Sequence, residues 1–561
     1  MKKAILGALF AGAMLASCSS DEPANNGGNQ GNNESGYGYV AVNIVQPATE
    51  GGRAAEETDF ESGDPEENKA SNALFYIFSS DGTTQIGTAQ NIALTPTDQS
   101  NALDPAVEQI YQAVLVIDGE ETKPTVGYQI VCVLNAPAGM ATKVNNLPAL
   151  QALMADYSIH SDNNFIMTNS VYKTGGDVVL GARVTEKNLK NSASEAKANP
   201  VDVYVERVVA KIRSTKPSDI TSKGGKALVD GVEKIFTIEV TGIEVANIAQ
   251  TSYLFKNVTG INYDWAWDVP NKRSYWENVP GSLTYGNKSY TQIATGTSTG
   301  LNEYIQPNTS NQKTSVLVTA QLKDGEKTAD LVWIRGGYTT MDGATALVAQ
   351  YLADNGNYYK KDADWSADNQ HYVQLGTKDF KWVNNNDVTG DDAVTVPGLT
   401  AGELKLKSYE AIAVLADDVE VYKESVDETS GEKSYTKADA SDVNKLLLKE
   451  NSKGGYMYAA RVYTDGKCYY FVNIDQTSVA ISNGYTVAEG AAKTHVFDGV
   501  VRNHIYDLSL NDITGIGTPV FDPDDVIVPT KPEDEQLWYL AARIKVLKWR
   551  LVKQDVSFEG Q

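Results

Sequence analysis

Histidine and cysteine are scarce in this chain of 561 residues, with four of the first and three of the second. His160, His371, His495 and His504 stand far apart, and none pairs at metal-ligand spacing. With no C-x-x-C and no Cys/His cluster, a zinc site has no ligand set to draw on. No P-loop occurs, and no G-x-G-x-x-G opens a helix after a strand. No internal stretch reaches the roughly 18 apolar residues that a membrane helix needs. Positive charge is also short, with 48 Lys and Arg against 72 Asp and Glu and a net charge of −24. A nucleic-acid binder would carry a basic footprint, so that class is excluded. An acidic balance suits a particle that faces solvent.

What is present is tyrosine, at 30 residues, glycine, at 46, and many segments rich in Val, Ile and Thr. That mixture favours strands joined by turns. Length alone suggests about three or four domains, or two if they are large β-sandwiches. Strands are expected at 73–78, 110–117, 127–134, 165–168, 177–182 and 201–212. The last, VDVYVERVVAKI, alternates most clearly and closes the first half. Residues 217–231 read as a polar linker. Further strands are expected at 236–248, 315–322, 329–334, 456–464, 467–474 and 504–513. Helices are expected at 148–156, 340–352 and 442–448. The chain is therefore expected to be all-β with few short helices, built from sandwiches. Cys132 and Cys468 each read as a small apolar residue in a strand. An exported protein could pair them, but the sequence does not place their Cα atoms.

The termini carry the most pointed signals. Lys2 and Lys3 precede an apolar run too short to span a bilayer. Leu15-Ala16-Ser17-Cys18 follows and resembles the lipobox of bacterial lipoproteins, which makes Cys18 the acylated residue. Residues 24–36 hold little to bury and read as a tether. A strand is expected next, with Val40, Val42 and Ile44 on one face, ended by Pro47. Gly51-Gly52-Arg53-Ala54-Ala55 offers a lone basic residue in flexible small ones, a good site for an Arg-specific protease. At the other end, a proline-spaced acidic stretch leads into LWYLAARIKVLKWRLVKQDVSF. Leu540, Ala542, Ile544 and Val546 share one face of that strand. Leu547, Trp549 and Leu551 continue after a one-residue shift, so a bulge or turn is expected near Val546 and Leu547. From Leu537 onward five basic residues stand against two acidic ones.

Two motifs invite chemistry and fail on context. Gly296-Thr297-Ser298-Thr299-Gly300 matches G-x-S-x-G, but a nucleophile elbow needs an apolar strand before it and a helix after it, and neither neighbour fits. Asn384, Asn385, Asn386 and Asp387 with Gly390, Asp391 and Asp392 offer oxygens but lack the EF-hand order and its closing Glu. No carboxylate pair stands out as an acid/base dyad. No enzyme and no cofactor is expected.

In order along the chain, these residues resemble the Bacteroidales fimbrial subunits called type V pilins, most closely the Mfa-type shaft subunit. The resemblance is carried by Leu15-Ala16-Ser17-Cys18, by Gly51-Gly52-Arg53-Ala54-Ala55, and by Val205-Glu206-Arg207-Val208-Val209-Ala210-Lys211-Ile212. It is carried also by VRNHIY at 501–506 with GIGTP at 515–519, and by Val546-Leu547-Lys548-Trp549. The resemblance implies two transthyretin-like β-sandwich domains plus a C-terminal donor strand. It implies a lipoprotein signal over 1–18, a propeptide over 19–53, an N-terminal sandwich over 54–215 and a C-terminal sandwich over 216–521. An acidic linker at 522–536 and the donor at 537–561 complete the order. It further implies lipidation at Cys18, cleavage between Arg53 and Ala54, and polymerisation by strand exchange.

On this reading Val40, Val42 and Ile44 belong to a placeholder strand, and Leu540, Ala542, Ile544, Val546, Leu547, Trp549 and Leu551 to a donor that enters another copy. The implied partners are other copies of the chain, tip and anchor subunits, an Arg-specific maturation protease, and host or bacterial adhesion receptors. The implied location is a surface fimbrium, with the precursor lipid-anchored at the outer membrane. The competing expectation is a monomeric surface lipoprotein that binds glycan or host protein and uses both terminal strands internally. A secreted β-rich hydrolase is a third reading.

Overall fold

The structure is a computed structural model. It describes residues 37–46, 61, 63–96, 109–118, 127–156, 165–296, 299–388, 396–399, 404–452, 454–487, 496–530, 539–547 and 552–555. Among the described residues strand makes up 41% and helix 15%, so the fold is all-β with few short helices, as the composition implied.

The first half forms a ten-stranded sheet. Eight strands run in the order Gln90–Ala93, Asn72–Phe78, Gln129–Leu134, Met167–Asn169, Val201–Arg207, Tyr37–Gln46, Gln109–Asp118, Thr95–Pro96, while Ala182–Arg183 pairs with Gln129–Leu134 and Leu189–Lys190 with Tyr37–Gln46. The two strands at opposite ends of that order are separated in sequence by Leu94 alone, so the sheet must roll round into two facing layers. The Gln90 side chain ties the closure, donating to the Val116 carbonyl at 2.8 Å and accepting from the Val116 N–H at 3.0 Å. Inside lie Val40, Val42, Ile44, Phe75, Ile77, Leu115, Ile130, Cys132 and Val203. Gln129–Leu134 is buried at every position, as its unbroken apolar run requires. Its second face packs on Leu74, Tyr76, Leu150, Leu254 and Phe255.

The second half packs two sheets face to face. One runs Asn302–Ile305, Ala210–Ser214, Ile505–Thr514, Tyr539–Leu547, Val552–Asp555. The other has nine strands, centred on Val232–Ala246, Ser315–Asp324 and Lys467–Asn473. Ile212, Tyr506 and Leu508 from the first sheet meet Phe236, Val318, Cys468 and Tyr470 from the second. The long Val232–Ala246 strand is bulged between Val240 and Gly242. Glycine is required there because a Cβ would overlap the Ile293 carbonyl.

Three expectations need correction. The run 201–212 is not one strand. It breaks at Val208 and Val209, both buried, and crosses from the first sheet (Val201–Arg207) to the second (Ala210–Ser214). Alternation cannot reveal a crossover when both sheets bury the same kinds of residue. The helix expected at 148–156 stops at Gln151, and Met154–Asp156 becomes a strand paired with Thr251–Tyr253. Third, between the helices expected at 340–352 and 442–448 the chain adds strands and cores of its own. The chain leaves the nine-stranded sheet after Gly337–Thr339 and returns at Ala460–Tyr463 to pair with Leu331–Ile334. Between these points it builds its own cores. Helix Met341–Asn355, capped by Thr340, presents Ala344, Val348 and Leu352 to Val443, Leu447, Phe380 and Leu415. Cys132 and Cys468 sit in the first and second sandwich cores and are unpaired. Burial pushes the Cys468 thiol up to about 12 and the Cys132 thiol higher still.

Candidate functional site: the terminal strands and their junction

Tyr37–Gln46 is an interior strand. It runs antiparallel to Gln109–Asp118 over its whole length, from Tyr37 opposite Asp118 to Gln46 opposite Gln109. On its other side it runs parallel to Val201–Arg207, from Val42 opposite Val201 to Val45 opposite Tyr204. Val40, Val42 and Ile44 are each 0% exposed. Asn43, on the opposite face, donates to Asp202 at 3.2 Å and accepts from Gln112 at 3.1 Å. At roughly 1.5–3 kcal/mol per buried apolar side chain, the three inward residues contribute about 5–9 kcal/mol, in addition to the ladders on both sides.

The chain resumes, beyond residues outside the described set, in a short acidic segment. Glu61, Asp64 and Glu67 recur every third residue and face three cations. Arg213 holds Glu61 with two hydrogen bonds of 2.7 and 3.0 Å. Lys211 Nζ lies 2.6 Å from Glu67 and 3.3 Å from Asp64. Arg207 donates from Nε to the Glu67 carbonyl at 2.9 Å and from Nη1 to Asn503 Oδ1 at 3.1 Å. Tyr304 adds its hydroxyl to Glu67. Glu67 is 1% exposed and Lys211 5%, so this contact is far less screened than a surface pair. The segment therefore fastens the start of the body to the second sandwich, independently of Tyr37–Gln46.

Beside it lies a second buried group. Lys256 Nζ meets Glu206 Oε2 at 2.9 Å and the Ser274 carbonyl at 2.8 Å. Arg502 meets Glu277 at 2.9 Å and donates to the carbonyls of Leu254 and Tyr253. Burial pushes the Glu206 carboxyl up and the Lys256 ammonium down, each opposed by the other's charge. These residues stitch one sandwich to the other. Sequence reasoning passed over them, although the signal was present: Glu206, Arg207 and Lys211 interrupt an apolar run, and charge inside such a run demands partners.

At the far end, Tyr539–Leu547 pairs antiparallel with Ile505–Thr514, with Leu540 opposite Ile513, Ala542 opposite Leu510, Ile544 opposite Leu508 and Val546 opposite Tyr506. The strand ends at Leu547, and Val552–Asp555 folds back on it, with Val546 opposite Val552. This hairpin forms the edge of its sheet. Cys18, Arg53, Ala54, Trp549 and Leu551 lie outside the described residues.

The other motifs come to little. Helix Tyr290–Ala294, not a strand, precedes Gly296, and Ser298 lies outside the described residues. Asn384 is spent on Asp525, at 2.6 Å, and on the turn that Asp387 closes. His371 lies 3.1 Å from both Asp362 and Asp364 on an exposed loop.

Residues 461–555 match the family model described as major fimbrial subunit protein type IV, fimbrillin, C-terminal. The likeness to that family is carried by residues 461–555 of the 561. The match runs through the second-sandwich strands into the terminal hairpin. Among solved structures, the chain is similar to a fimbrilin from Porphyromonas gingivalis W83, at 13% identity over 93% of this chain and 99% of that one, with a TM-score of 0.36. It is similar to the tip fimbrial protein Mfa3 from Porphyromonas gingivalis with C-terminal truncation, at 11% identity over 91% and 100%, with a TM-score of 0.28. A fimbrial assembly protein from Parabacteroides distasonis ATCC 8503 shares 14% identity over 52% and 84%, with a TM-score of 0.28. Such scores decide nothing about geometry. No curated protein matches.

Proposed function

We propose that the chain is a shaft subunit that accepts and donates strands. It is exported as a lipoprotein acylated at Cys18, cut between Arg53 and Ala54, and polymerised by strand exchange, with the fimbrium then supporting adhesion. The observation that carries this reading is the position of Tyr37–Gln46. It is an interior strand with three fully buried side chains, and residues 47–60 alone connect it to the body that Glu61, Asp64 and Glu67 anchor. A cut within 47–60 separates a core strand from its domain and leaves the body fastened. Departure would expose apolar core and unpaired backbone on two neighbours, both costly. A donor strand from another copy removes that cost. Leu540, Ala542, Ile544 and Val546 supply the alternate apolar positions, and the locally basic tail is steered by a body of net negative charge.

One observation favours the monomeric surface lipoprotein. Tyr539–Leu547 already pairs with its own Ile505–Thr514. A single experiment separates the two. Purified precursor is incubated with an Arg-specific protease. The polymer reading expects a heat-sensitive ladder of oligomers, abolished by Arg53→Ala and by truncation before Leu537. Cleaved protein that stays monomeric at high concentration refutes polymerisation, and a truncated variant that still elongates refutes the donor assignment.

A further inference from the structure

Where the first sandwich meets the second, the surface folds inward to a cavity of about 580 Å³. Its walls come from residues 148–152 and 173–180 on one side and 253–262 on the other. The size falls within the range of roughly 300–1,000 Å³ typical of small-ligand sites, and seams between domains are where such sites gather. In a chain with 72 acidic residues, the lining contains, among the described residues, no carboxylate and one ammonium, Lys173. Lys173 Nζ stands 4.4 Å over the Trp267 ring, a cation–π contact that keeps the charge at the wall. Gln151, Tyr253, Asn257 and Asn262 are the polar residues that share the lining with it. Asn257 is held in place by its Oδ1, which accepts from the Thr259 N–H at 3.0 Å and from the Asn278 amide at 3.4 Å. Leu180, Val258 and Ile261 supply apolar wall between these groups.

We propose that this cavity binds an acidic saccharide, a sugar that carries a carboxylate. The carboxylate would meet Lys173 in a charge-assisted contact. Ring hydroxyls would exchange hydrogen bonds with the amides, and C–H faces would lie on the apolar wall. The same charge pattern excludes competing ligands. A cation finds no counter-charge in the lining, and a wholly apolar ligand would bury Lys173 and the amides without partners, which is costly. Elsewhere a body of net charge −24 repels an anion, so a patch free of carboxylates is a condition for holding one. The inference stands apart from strand exchange, since none of these residues belongs to either terminal strand.

The test is calorimetric titration of the full chain with 3′-sialyllactose, with a hyaluronan tetrasaccharide and with neutral lactose. At least one acidic probe should bind about tenfold more tightly than lactose, the size of one charge-assisted contact. Lys173→Gln should remove that preference, Lys173→Arg should keep it, and raising the salt should weaken it. Thermal melting checks that the variants fold. Should Lys173→Gln unfold, Asn262→Ala on the exposed rim takes its place and should weaken acidic-probe binding several-fold. Failure of both acidic probes to bind overturns the proposal, as does equal binding of lactose or unchanged affinity in a folded Lys173→Gln. Formation of the oligomer ladder should be indifferent to Lys173→Gln, which keeps this result separate from the polymer reading.

Discussion

Val42→Ala should loosen Tyr37–Gln46 while leaving its hydrogen-bond ladder in place. Val42 is 0% exposed and stands between Val201 on one neighbour and Ala113 on the other. Alanine removes two buried methyl groups, worth about 0.8 kcal/mol each in transfer. The unfilled space adds to this, for a total of about 2 kcal/mol. That shifts the equilibrium for losing the strand by roughly 25-fold. In the uncut chain the change appears as lower stability towards urea. In the cut chain the strand is a separate peptide, and its retention should fall. The assay cuts the precursor with an Arg-specific protease and separates the body by size exclusion at successive times. Mass spectrometry then measures how much N-terminal peptide remains with it. Release should be about 10- to 30-fold faster than in the parent protein. Asn43→Ala provides the contrast, because Asn43 faces away from the core and its hydrogen bonds to Asp202 and Gln112 are worth about 0.5–1.5 kcal/mol each at most. The reasoning is refuted if Val42→Ala lowers stability as expected yet the peptide leaves at the parent rate.

Lys256→Met should destabilise the chain by about 3–5 kcal/mol in urea unfolding, because it leaves Glu206 charged, buried and unpartnered. Adding Glu206→Leu should recover most of that loss, and a double variant no better than the single one would show that the pair is not the cause. Asp81 accepts from the Ser79 hydroxyl and from the Thr83 N–H and hydroxyl, and these hydrogen bonds lower its carboxyl to about 2 from 3.8. A depressed acid stabilises the folded turn above its unfolded value, and the contribution is lost as pH falls through about 2. Carboxyl NMR should therefore give a midpoint near 2, and a midpoint near 4 would remove those hydrogen bonds from the account.

The fold class could be read from the chain because strand periodicity survives in isolation. The runs at 73–78 and 315–322 alternate or stay apolar in the way their burial demands, and both are strands. What could not be read is which sheet a strand enters. VDVYVERVVAKI looks continuous because Val201, Val203 and Val205 line one core and Ala210 and Ile212 another, and both cores require the same apolar side chains. The region at 341–459 was opaque for a related reason. Its helices were visible, yet their cores are closed by partners distant in sequence, as with Val348 and Val443. The acidic segment at 61–67 was missed because Glu and Asp before a turn read as solvated surface. Only the fold brings Lys211 and Arg213 to them.

The two terminal strands differ in what the fold loses when each departs. Tyr37–Gln46 has body strands on both sides, so its departure opens two ladders and three core positions. Tyr539–Leu547 has one body partner, Ile505–Thr514, and its other neighbour is the far arm of its own hairpin. Lifting the hairpin therefore opens one ladder, while the inner side of Ile505–Thr514 stays covered by Ala210–Ser214. On the strand-exchange reading this asymmetry sets the order of events. The interior strand does not leave while it is joined to a body held at Glu61 and Glu67, because the open groove costs more than the freed chain gains. Cleavage changes the entropy rather than the contacts, since the same strand is then a separate molecule that dilution favours. The edge hairpin needs no cut to be released. To enter a groove with two open neighbours the strand must also part from Val552–Asp555, so it exchanges one body ladder and its own hairpin arm for two body ladders, and closing the exposed core of the groove is what draws it in.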